Sequence, residues 1–486
     1  MIQEGGVKND DAVHVFLDVA GIPRPLGKLW FHYRGGQEST SFQYDNAWLA
    51  SPASFSIDPE LPLFPGVYHS TSLFGVFSDA APDRWGRLLM RKGDTSKRTL
   101  FTSDYLLRVD DGLRMGALRF RVGNGPFLAD GSRVRVPPLT DLPRLVAAAQ
   151  RLDAGNDDRE IEDIKLLLRP GASLGGAHPK AAVTDKDGSL WIAKFPGVRA
   201  EDRYRSHWEY LSVHLARQSG IQVPDYRLLH LVGNTTAFLT RRFDRDAIGH
   251  RIHYASAMTI LGARDGDNRS YEEIAESLRE LASPAEDVRE LWRRMAFSVL
   301  VSNVDDHLRN HGVVWSTAEG FRLSPAFDIN PSPPSHDRTT HGTTLYANGT
   351  STMDFASVWA AAGDFLWKES NARAAVRQMV QAVANWAKEA KKACIPKAEV
   401  DRWSGAFVHD DFDAAMDIAQ KKLVCASDFA PDISVESSID SLEQTFHDGT
   451  TFDENDALPN EAAEQDRGEE KTPSSVIQND DDEAGN

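Results

Sequence analysis

Apolar and polar positions alternate in the first part of the chain with the two-residue period of β-strands. Pro and Gly interrupt this alternation in residues 12–35, which predicts a β-hairpin. A helix after a Pro-Asp turn is predicted over residues 81–92, and a helical turn followed by a strand over residues 102–122. We therefore expect residues 1–125 to form a small, mostly β domain with one or two helices.

The pattern changes beyond a Gly- and Pro-rich connection at residues 123–138. Residues 139–168 have helical spacing, and the stretch RPGASLGGAHPKAAV that follows predicts a Gly-rich loop entering a strand. A second strand carries Lys194, a helix is predicted over residues 205–219, and two strands joined by a Gly-Asn turn come next. This order of loop, strands and helix resembles the nucleotide-binding lobe of a protein kinase.

The chain beyond residue 250 has the 3.6-residue spacing of amphipathic helices, which are predicted over residues 271–281, 286–300, 371–393 and 397–423. These patterns predict an α+β protein in which a small β-rich N-terminal domain precedes a kinase-like fold of two lobes, one β-rich and one all-helical. The expected divisions are the N-terminal domain, a linker helix with the nucleotide-binding lobe, a helical catalytic lobe and a disordered acidic tail, at residues 1–125, 126–250, 251–427 and 428–486.

A dense group of polar residues lies between two apolar runs in residues 297–330. Short strands predicted at residues 312–315 and 320–323 would form a hairpin, and this hairpin would bring Asp328 back beside Asn310. The polar residues of this segment are Asn303, Asp305, Asp306, His307, Asn310 and Asp328.

These side chains have the chemistry that phosphoryl transfer needs. The amide oxygen of Asn310 and the carboxylate of Asp328 suit Mg²⁺, which also keeps waters and phosphate oxygens as ligands. The Asp305 carboxylate would orient the attacking hydroxyl or accept its proton. Each residue alone has a simpler explanation, since Asp305 and Asp306 could cap a helix and Asn310 could form a turn. The whole set at this spacing favours the metal site.

Two lysines lie close to the Gly-rich loop. Lys180 ends the loop, and Lys194 stands among apolar residues in the next strand. Their charges would neutralise the phosphates of a nucleotide held by the loop. Glu209, on the following helix, is the expected ion-pair partner of Lys194. The alternatives are an exposed lysine at a sheet edge and an exposed acid on a helix.

Composition narrows the class of protein. Residues 428–486 hold 18 acidic and 2 basic side chains, so the rest of the chain carries only −2 of the net charge of −18 and does not indicate a nucleic-acid surface. The chain has no apolar run long enough for a membrane span, and its N-terminus does not resemble a secretory signal. Two cysteines, Cys394 and Cys425, are too few for a disulfide framework or a zinc site. We expect a cytoplasmic protein with no membrane partner.

Several motifs resemble, in their order along the chain, those of one family. LGKLWFHYRG, SDAAPDRWGRLLM and VDDGLRMGALRF resemble its N-terminal domain, and SLGGAHPKAAV resembles its phosphate loop. HWEYLSVHLARQSGIQVPDYRLL and LTRRFDR resemble the region between its lobes. NVDDHLRNHGVVW and LSPAFDINPS resemble its catalytic and metal-binding segments. The family is that of the HipA-type serine/threonine kinases, toxins of bacterial toxin–antitoxin pairs, and the resemblance covers most of residues 12–425.

The resemblance implies a role for each matching position. Asp305 is similar to the catalytic aspartate, Asn310 and Asp328 to the magnesium ligands, and Ser173 to a serine whose autophosphorylation ejects the loop and ends nucleotide binding. Lys194 would contact the α- and β-phosphates, and the backbone of the segment that starts at Arg241 would meet adenine. The implied nucleotide-binding positions are Gly175, Gly176, Lys180, Lys194, Arg241, Phe243 and, just beyond that segment, Asp244.

Two neighbours of Asp305 are expected to have other roles. His307 fits the family's Asp-x-His-x-x-Asn run, and we expect it to brace the loop by hydrogen bonding. Asp306 occupies a variable position of that run, and we expect it to face solvent.

The resemblance implies an ATP- and Mg²⁺-dependent serine/threonine protein kinase that arrests growth by phosphorylating a cellular protein. The family's founding type is associated with an aminoacyl-tRNA synthetase as its target. The implied partner is a small helix-turn-helix antitoxin, so that DNA is contacted only through it. Departures from the family at Arg241 and after His253 leave the substrate open. A small-molecule or lipid kinase and a non-catalytic co-repressor scaffold are the alternatives.

Overall fold

The computed structural model describes most of the chain up to residue 421. The described residues are 12–96, 98–130, 136–155, 160–171, 178–231, 235–332, 337–347, 349–350 and 352–421. All of them belong to one unit, Met1–Leu423, and the second unit, Val424–Asn486, contains the predicted acidic tail and lies outside the described residues. None of the helices in these ranges is both long enough and apolar enough to cross a membrane.

The N-terminal part is built on an antiparallel sheet. Its elements are β1 (Val13–Val19), β2 (Ile22–Arg34), β3 (Gln37–Tyr44), α1 (Asn46–Leu49), β4 (Tyr68–Ser70), α2 (Gly75–Asp79), α3 (Arg84–Gly93), α4 (Thr102–Arg108) and β5 (Leu118–Val122). The five strands lie in the order β4-β3-β2-β1-β5. The predicted hairpin is confirmed as β1 and β2, which turn through Ala20 and Gly21, both at positive φ.

The second part contains a four-stranded antiparallel sheet. Its elements are α5 (Leu142–Asp153), α6 (Glu160–Gly171), β6 (Lys180–Thr184), β7 (Leu190–Lys194), α7 (Arg205–Gln218), β8 (Tyr226–His230) and β9 (Thr236–Arg241). The strand order is β6-β7-β9-β8. Trp85 and Leu89 of α3 pack into one apolar core with α5, α6 and this sheet, so a helix of the N-terminal part closes one face of the second part.

The third part is mainly helical, but the prediction of an all-helical lobe is wrong, because this part also holds a small sheet in the order β10-β11-β12. Its elements are β10 (His253–Ser256), α8 (Ala257–Ile260), α9 (Tyr271–Glu280), α10 (Ala285–Leu300), β11 (Gly312–Ser316), β12 (Gly320–Leu323), α11 (Phe355–Ala360), α12 (Glu369–Val383), α13 (Trp386–Lys392), α14 (Lys397–Trp403) and α15 (Asp410–Gln420). The hairpin predicted to follow the polar segment is confirmed as β11 and β12.

The two long helices predicted near the end of the chain are wrong in length. The first is divided into α12 and α13, and the second into α14 and α15. The breaks let large aromatic side chains turn inward, because the ring of Trp386 stacks on that of Phe407 at 4.6 Å. Packing of these rings decides the helix ends, and the helical spacing of the sequence does not contain that information.

Candidate active site

The polar segment that follows α10 forms a loop with alternating exposed and buried side chains. Ser302 starts the loop with φ of 52°, a left-handed conformation that turns the chain out of the helix. Asp305 is exposed, whereas Asp306 and Asn310 are buried. The Asn310 side-chain amide donates to the backbone carbonyl of Asp305 at 3.0 Å. The loop therefore presents the Asp305 carboxylate to solvent and fixes Asn310 beneath it.

Asp328 and Lys194 meet directly, although they come from different parts of the fold. The Lys194 ammonium donates to Asp328 Oδ1 at 2.7 Å and to Glu209 Oε1 at 2.5 Å. Lys194 ends β7, Glu209 lies in α7, and Asp328 follows β12. The predicted pairing of Lys194 with Glu209 is confirmed, and the exposed-acid alternative is excluded because Glu209 is 4% exposed.

The backbone at Asp328 is held in an unusual conformation. Its φ is 58°, in the left-handed region that non-glycine residues seldom adopt. Asn330 donates from its side chain to Asp328 Oδ1 at 3.1 Å, and Asn303 accepts the backbone N–H of Asn330 at 3.2 Å. Such conformations cost about 1–3 kcal/mol and persist where the surroundings enforce them, often at functional sites.

The charges of this cluster shift one another's protonation. Burial by itself would raise the pKa of Asp328, but the Lys194 ammonium outweighs it and holds that pKa well below its ordinary value. Burial would lower the pKa of Lys194, yet Asp328 and then Glu209 raise it above its usual range. For Asp305, partial removal from water raises the pKa, the Asp328 charge raises it further, and His307 opposes both. Asp305 and Asp328 are thus electrostatic neighbours.

Lys180 lies beside Lys194 in the sheet. The two residues are paired directly across β6 and β7. Lys180 is 3% exposed, and its ammonium lies 3.4 Å from the Asp83 carboxylate of the N-terminal part. The lysine predicted from the Gly-rich loop is thus brought to the same corner of the sheet as Lys194 and Asp328. Ser173, Gly175 and Gly176 of that loop lie outside the described residues.

The segment after β9 contributes the aromatic ring of Phe243 to this region. The ring of Phe243 lies 5.4 Å from that of Phe327, next to Asp328. The amides of Arg241 and Arg242 donate to the carbonyls of Asp225 and Leu190, so within this segment the amide of Phe243 is the one left to meet a base. The Arg241 side chain is partly exposed and lies 3.7 Å from Asp225.

Asp244 is placed away from any nucleotide. It is fully buried, lies 2.6 Å from Arg242 and 2.7 Å from Arg245, and accepts the backbone N–H of Gly116 at 2.8 Å. Burial would raise its pKa, but the two arginines hold the pKa of this carboxyl well below its ordinary value. Asp244 therefore joins the N-terminal part to the rest of the fold, and we withdraw it from the nucleotide-binding set.

The prediction that Asp306 faces solvent is wrong. Its side chain is 4% exposed, accepts hydrogen bonds from the hydroxyls of Tyr271 and Ser298, and lies 3.0 Å from His311 Nε2. Asp306 and its partners brace the loop, whereas His307 is exposed and its side chain makes no hydrogen bond within the described residues. A signal in the sequence could have shown the burial of Asp306. Side chains of an extended loop alternate between outward and inward directions, so the neighbour of the exposed Asp305 is expected to point inward.

The residues at the centre of the site suit a magnesium ion. In the ranges that the structure describes, no three His, Cys, Asp or Glu side chains are arranged to hold a metal. A magnesium ion does not require three such side chains, since it is often held by one or two side chains together with phosphate oxygens and water. Asp328 Oδ2 and Asn310 Oδ1 accept no hydrogen bond from any described residue. Within the described residues, neither oxygen is thus committed to a hydrogen bond, as a ligand of a hard cation requires.

Two family models match this chain. The model described as the HipA N-terminal domain matches residues 17–120, and the one described as the HipA-like C-terminal domain matches residues 172–387. The chain belongs to the HipA family. The second match includes Lys180, Lys194, the loop with Asp305, and Asp328, so the family's C-terminal domain contains the whole described cluster.

Curated relatives and one solved structure extend this result. Two proteins named "Putative kinase" match, Y4dM of Sinorhizobium fredii at 30% identity and one from Haemophilus influenzae at 26%. These matches cover 39% and 36% of this chain, and 52% and 58% of the two relatives, so the chain spans little more than half of their length. The HipA chain of a Shewanella oneidensis complex of HipA, HipB and operator DNA is 15% identical and matches with a TM-score of 0.58. That match covers 85% of this chain and all of the other, which confirms the α+β fold of the HipA type.

Proposed function

We propose that this chain is an ATP- and Mg²⁺-dependent serine/threonine protein kinase of the HipA type. The observation that carries the proposal is the ion pair of Lys194 with Asp328, at 2.7 Å, beside Asp305. In this proposal Lys194 binds phosphate, Asp328 binds the metal ion and Asp305 is the base, and the proposal is supported by the electrostatic influence of Asp328 on both of the other groups. A cluster of this kind is what phosphoryl transfer by positioning and charge neutralisation requires.

Each residue has a definite task in this proposal. Lys194, held by Glu209, binds the phosphates of the nucleotide. Asp305 is the exposed carboxylate, and it orients the substrate hydroxyl and accepts its proton. Asn310 and Asp328 would hold Mg²⁺, which when bound neutralises the charge of the phosphates. Asp305 is exposed and Asn310 is buried on the same loop, which supports separate tasks for the two side chains.

The adenine base would lie against Phe243 and Phe327. Aromatic rings offer a flat apolar surface, and stacking of a base on such a ring is worth about 1–3 kcal/mol. The nearby Phe243 amide could donate to the base. Ser173 would be the autophosphorylated serine, since a phosphate in a loop that cradles phosphates would repel the nucleotide.

The biological role follows from the family. We propose a toxin that acts in the cytoplasm on a cellular protein, with an aminoacyl-tRNA synthetase as the first candidate. The Shewanella HipA lies in a complex with HipB and operator DNA. We propose a corresponding partner here, a small helix-turn-helix antitoxin through which the chain contacts DNA indirectly.

Transfer of the labelled γ-phosphate of ATP to proteins of a cell lysate tests this proposal. We expect Asp305→Asn to lower transfer by a factor of about 10² or more, because the carboxylate that accepts the proton is lost, while ATP binding changes little. Wild-type protein that binds no ATP would contradict the proposal. Transfer to lipids or sugars and not to proteins would favour a small-molecule or lipid kinase.

A further inference from the structure

Two lysines face each other across neighbouring strands at the corner of the four-stranded sheet. Lys180 of β6 and Lys194 of β7 are directly paired, so their side chains lie on the same face of the sheet. Like charges in such a pair destabilise a sheet unless carboxylates compensate them. Glu209 and Asp328 compensate Lys194. The positive charge of Lys180 must be compensated by another carboxylate.

Asp83 of the N-terminal part provides that compensation. Lys180 is 3% exposed, and its ammonium lies 3.4 Å from Asp83 Oδ2. Within the described residues, no other side chain forms an ion pair or hydrogen bond with this ammonium. Transfer of a charged group from water into the protein interior costs several kcal/mol unless a partner of opposite charge is present. The Asp83 carboxylate therefore favours the charged form of Lys180 and opposes burial, which lowers the pKa of this ammonium.

The same N-terminal helix supports both ends of the segment that would cradle the phosphates. At one end, a side chain at Gly171 would come within 2.7 Å of Leu89 and 3.0 Å of Trp85, both on α3. At the other end, Trp85 donates from its indole nitrogen to the carbonyl of Lys180 at 3.1 Å. Asp83 caps the N-terminus of this helix by accepting the amide of Gly86. Its position relative to Lys180 is thus fixed by packing.

We propose that Asp83 is a positioning residue for nucleotide binding, which acts by keeping the Lys180 ammonium in place beside Lys194 and Asp328. This inference rests on the proposed ATP site and extends it, because it makes a residue of the N-terminal part necessary for phosphate binding. The charged groups that face Lys180 are Asp83 from α3, Lys194 from β7 and Asp328 from the segment after β12, with His178 just before β6. Of these four groups, Asp83 is the one that comes from the N-terminal part.

The test compares ATP affinity, by calorimetry, and steady-state kinetics for the full-length chain and its variants. Asp83→Asn keeps the helix cap, since Asn is as good an N-cap residue as Asp, and removes only the charge. We expect a rise of about tenfold in the Kd and KM for ATP, with kcat at saturating ATP within about twofold of wild type. Asp83→Glu should recover much of the affinity, and Asp83→Asn should add nothing to Lys180→Met in the double variant.

Asp94→Asn is the matched control, because Asp94 stands at the other end of α3 and pairs with Arg108 at 3.0 Å. It should leave ATP affinity unchanged. The role of Asp83 would be overturned if Asp83→Asn left the ATP affinity unchanged, or if the effects of Asp83→Asn and Lys180→Met simply added. Either result would leave the proposed function standing. Wild-type protein that does not bind ATP would overturn both this inference and the proposed function.

Discussion

The exposed carboxylate of Asp305 is the residue whose protonation decides the proposed chemistry. Partial burial and the charge of Asp328 raise its pKa, and His307 lowers it. A raised pKa means that Asp305 takes up a proton at a higher pH than an ordinary aspartate. The proposed kinase activity should therefore fall on acidification at a higher pH than an unperturbed aspartate would require.

Replacing His307 tests this balance. A protonated His307 favours the charged form of Asp305, so His307→Gln should raise the pKa of Asp305 and move the acid limb of the kcat profile to higher pH. The measurement is kcat at saturating ATP between about pH 4.5 and 8, where histidine charge matters. His250→Gln, a change at a half-buried histidine that lies beside Asp246, is the control. An acid limb that stays in place or moves to lower pH would contradict this reading.

At the residue scale, the sequence allowed a prediction of the site residues but not of their surroundings. Lys194, Asp305, Asn310 and Asp328 were predicted because their side chains and spacing suit phosphoryl transfer, and their roles remain predictions. Asp306 was misjudged, because its burial depends on Tyr271 and Ser298, which lie on other elements. Local pattern could not show those contacts.

At the element scale, Asp306 ties the loop that follows α10 to the helices α9 and α10. Tyr271 is the first residue of α9 and Ser298 belongs to α10, and both donate to Asp306 Oδ2. Burial would raise the pKa of Asp306, but His311 outweighs it and lowers the pKa to about 2. Asp306 is thus ionised at neutral pH, and its hydrogen bonds are charge-assisted.

Tyr271→Phe removes one of these hydrogen bonds and keeps the ring. We expect the free energy of unfolding to fall by about 1.5–3 kcal/mol, the usual contribution of a buried hydrogen bond to a charged group. Denaturant titration measures it. The control is Tyr346→Phe, whose hydroxyl bonds to Asp364 at an exposed site and should contribute less than about 1 kcal/mol. Equal losses in the two variants would show that Asp306 does not anchor the loop.

Elements with strong local signals could be predicted from the sequence, as β1, β2, α10 and the β11–β12 hairpin show. The ends of α12 to α15 could not, because buried aromatic residues such as Trp386 and Trp403 set them through contacts between helices. Turn residues are local, whereas such packing joins positions far apart in the chain.

At the scale of the whole molecule, a buried ionic cluster joins the N-terminal part to the rest of the fold. Arg242 donates to the carbonyls of Leu113 and Arg114, while Asp244 accepts the amide of Gly116. Arg242 and Arg245 both form ion pairs with Asp244. α3, which Asp83 caps, belongs to the same N-terminal part and packs on α5, α6 and the four-stranded sheet.

Asp244→Asn leaves two buried arginines without their carboxylate. We expect a loss of about 3–5 kcal/mol in the free energy of unfolding, as is usual when one partner of a buried ion pair is removed. Asp225→Asn breaks exposed contacts with Arg217 and Arg241 and should change stability by about 1 kcal/mol or less. Both are measured by denaturant unfolding. A loss from Asp244→Asn no larger than that of the control would contradict the docking role.

The docking of the N-terminal part could not be predicted from the sequence. Asp244 was assigned to the nucleotide because it adjoins Arg241 and Phe243, whereas Gly116, whose backbone amide it accepts, lies 128 residues earlier in the chain. The division into domains at residues 1–125, 126–250 and 251–427 remains a prediction, and the shared core of α3 with the nucleotide lobe bears on how independent those parts are.

The central claim is that Lys194, Asn310 and Asp328 form one site for a nucleotide and its magnesium ion. Calorimetric titration of ATP, with and without Mg²⁺, into wild type and Asp328→Ala tests it most directly. We expect Mg²⁺ to tighten ATP binding to wild type by about tenfold or more, and Asp328→Ala to lose this dependence together with most of the affinity. Equal, magnesium-independent binding by the two proteins would contradict the account.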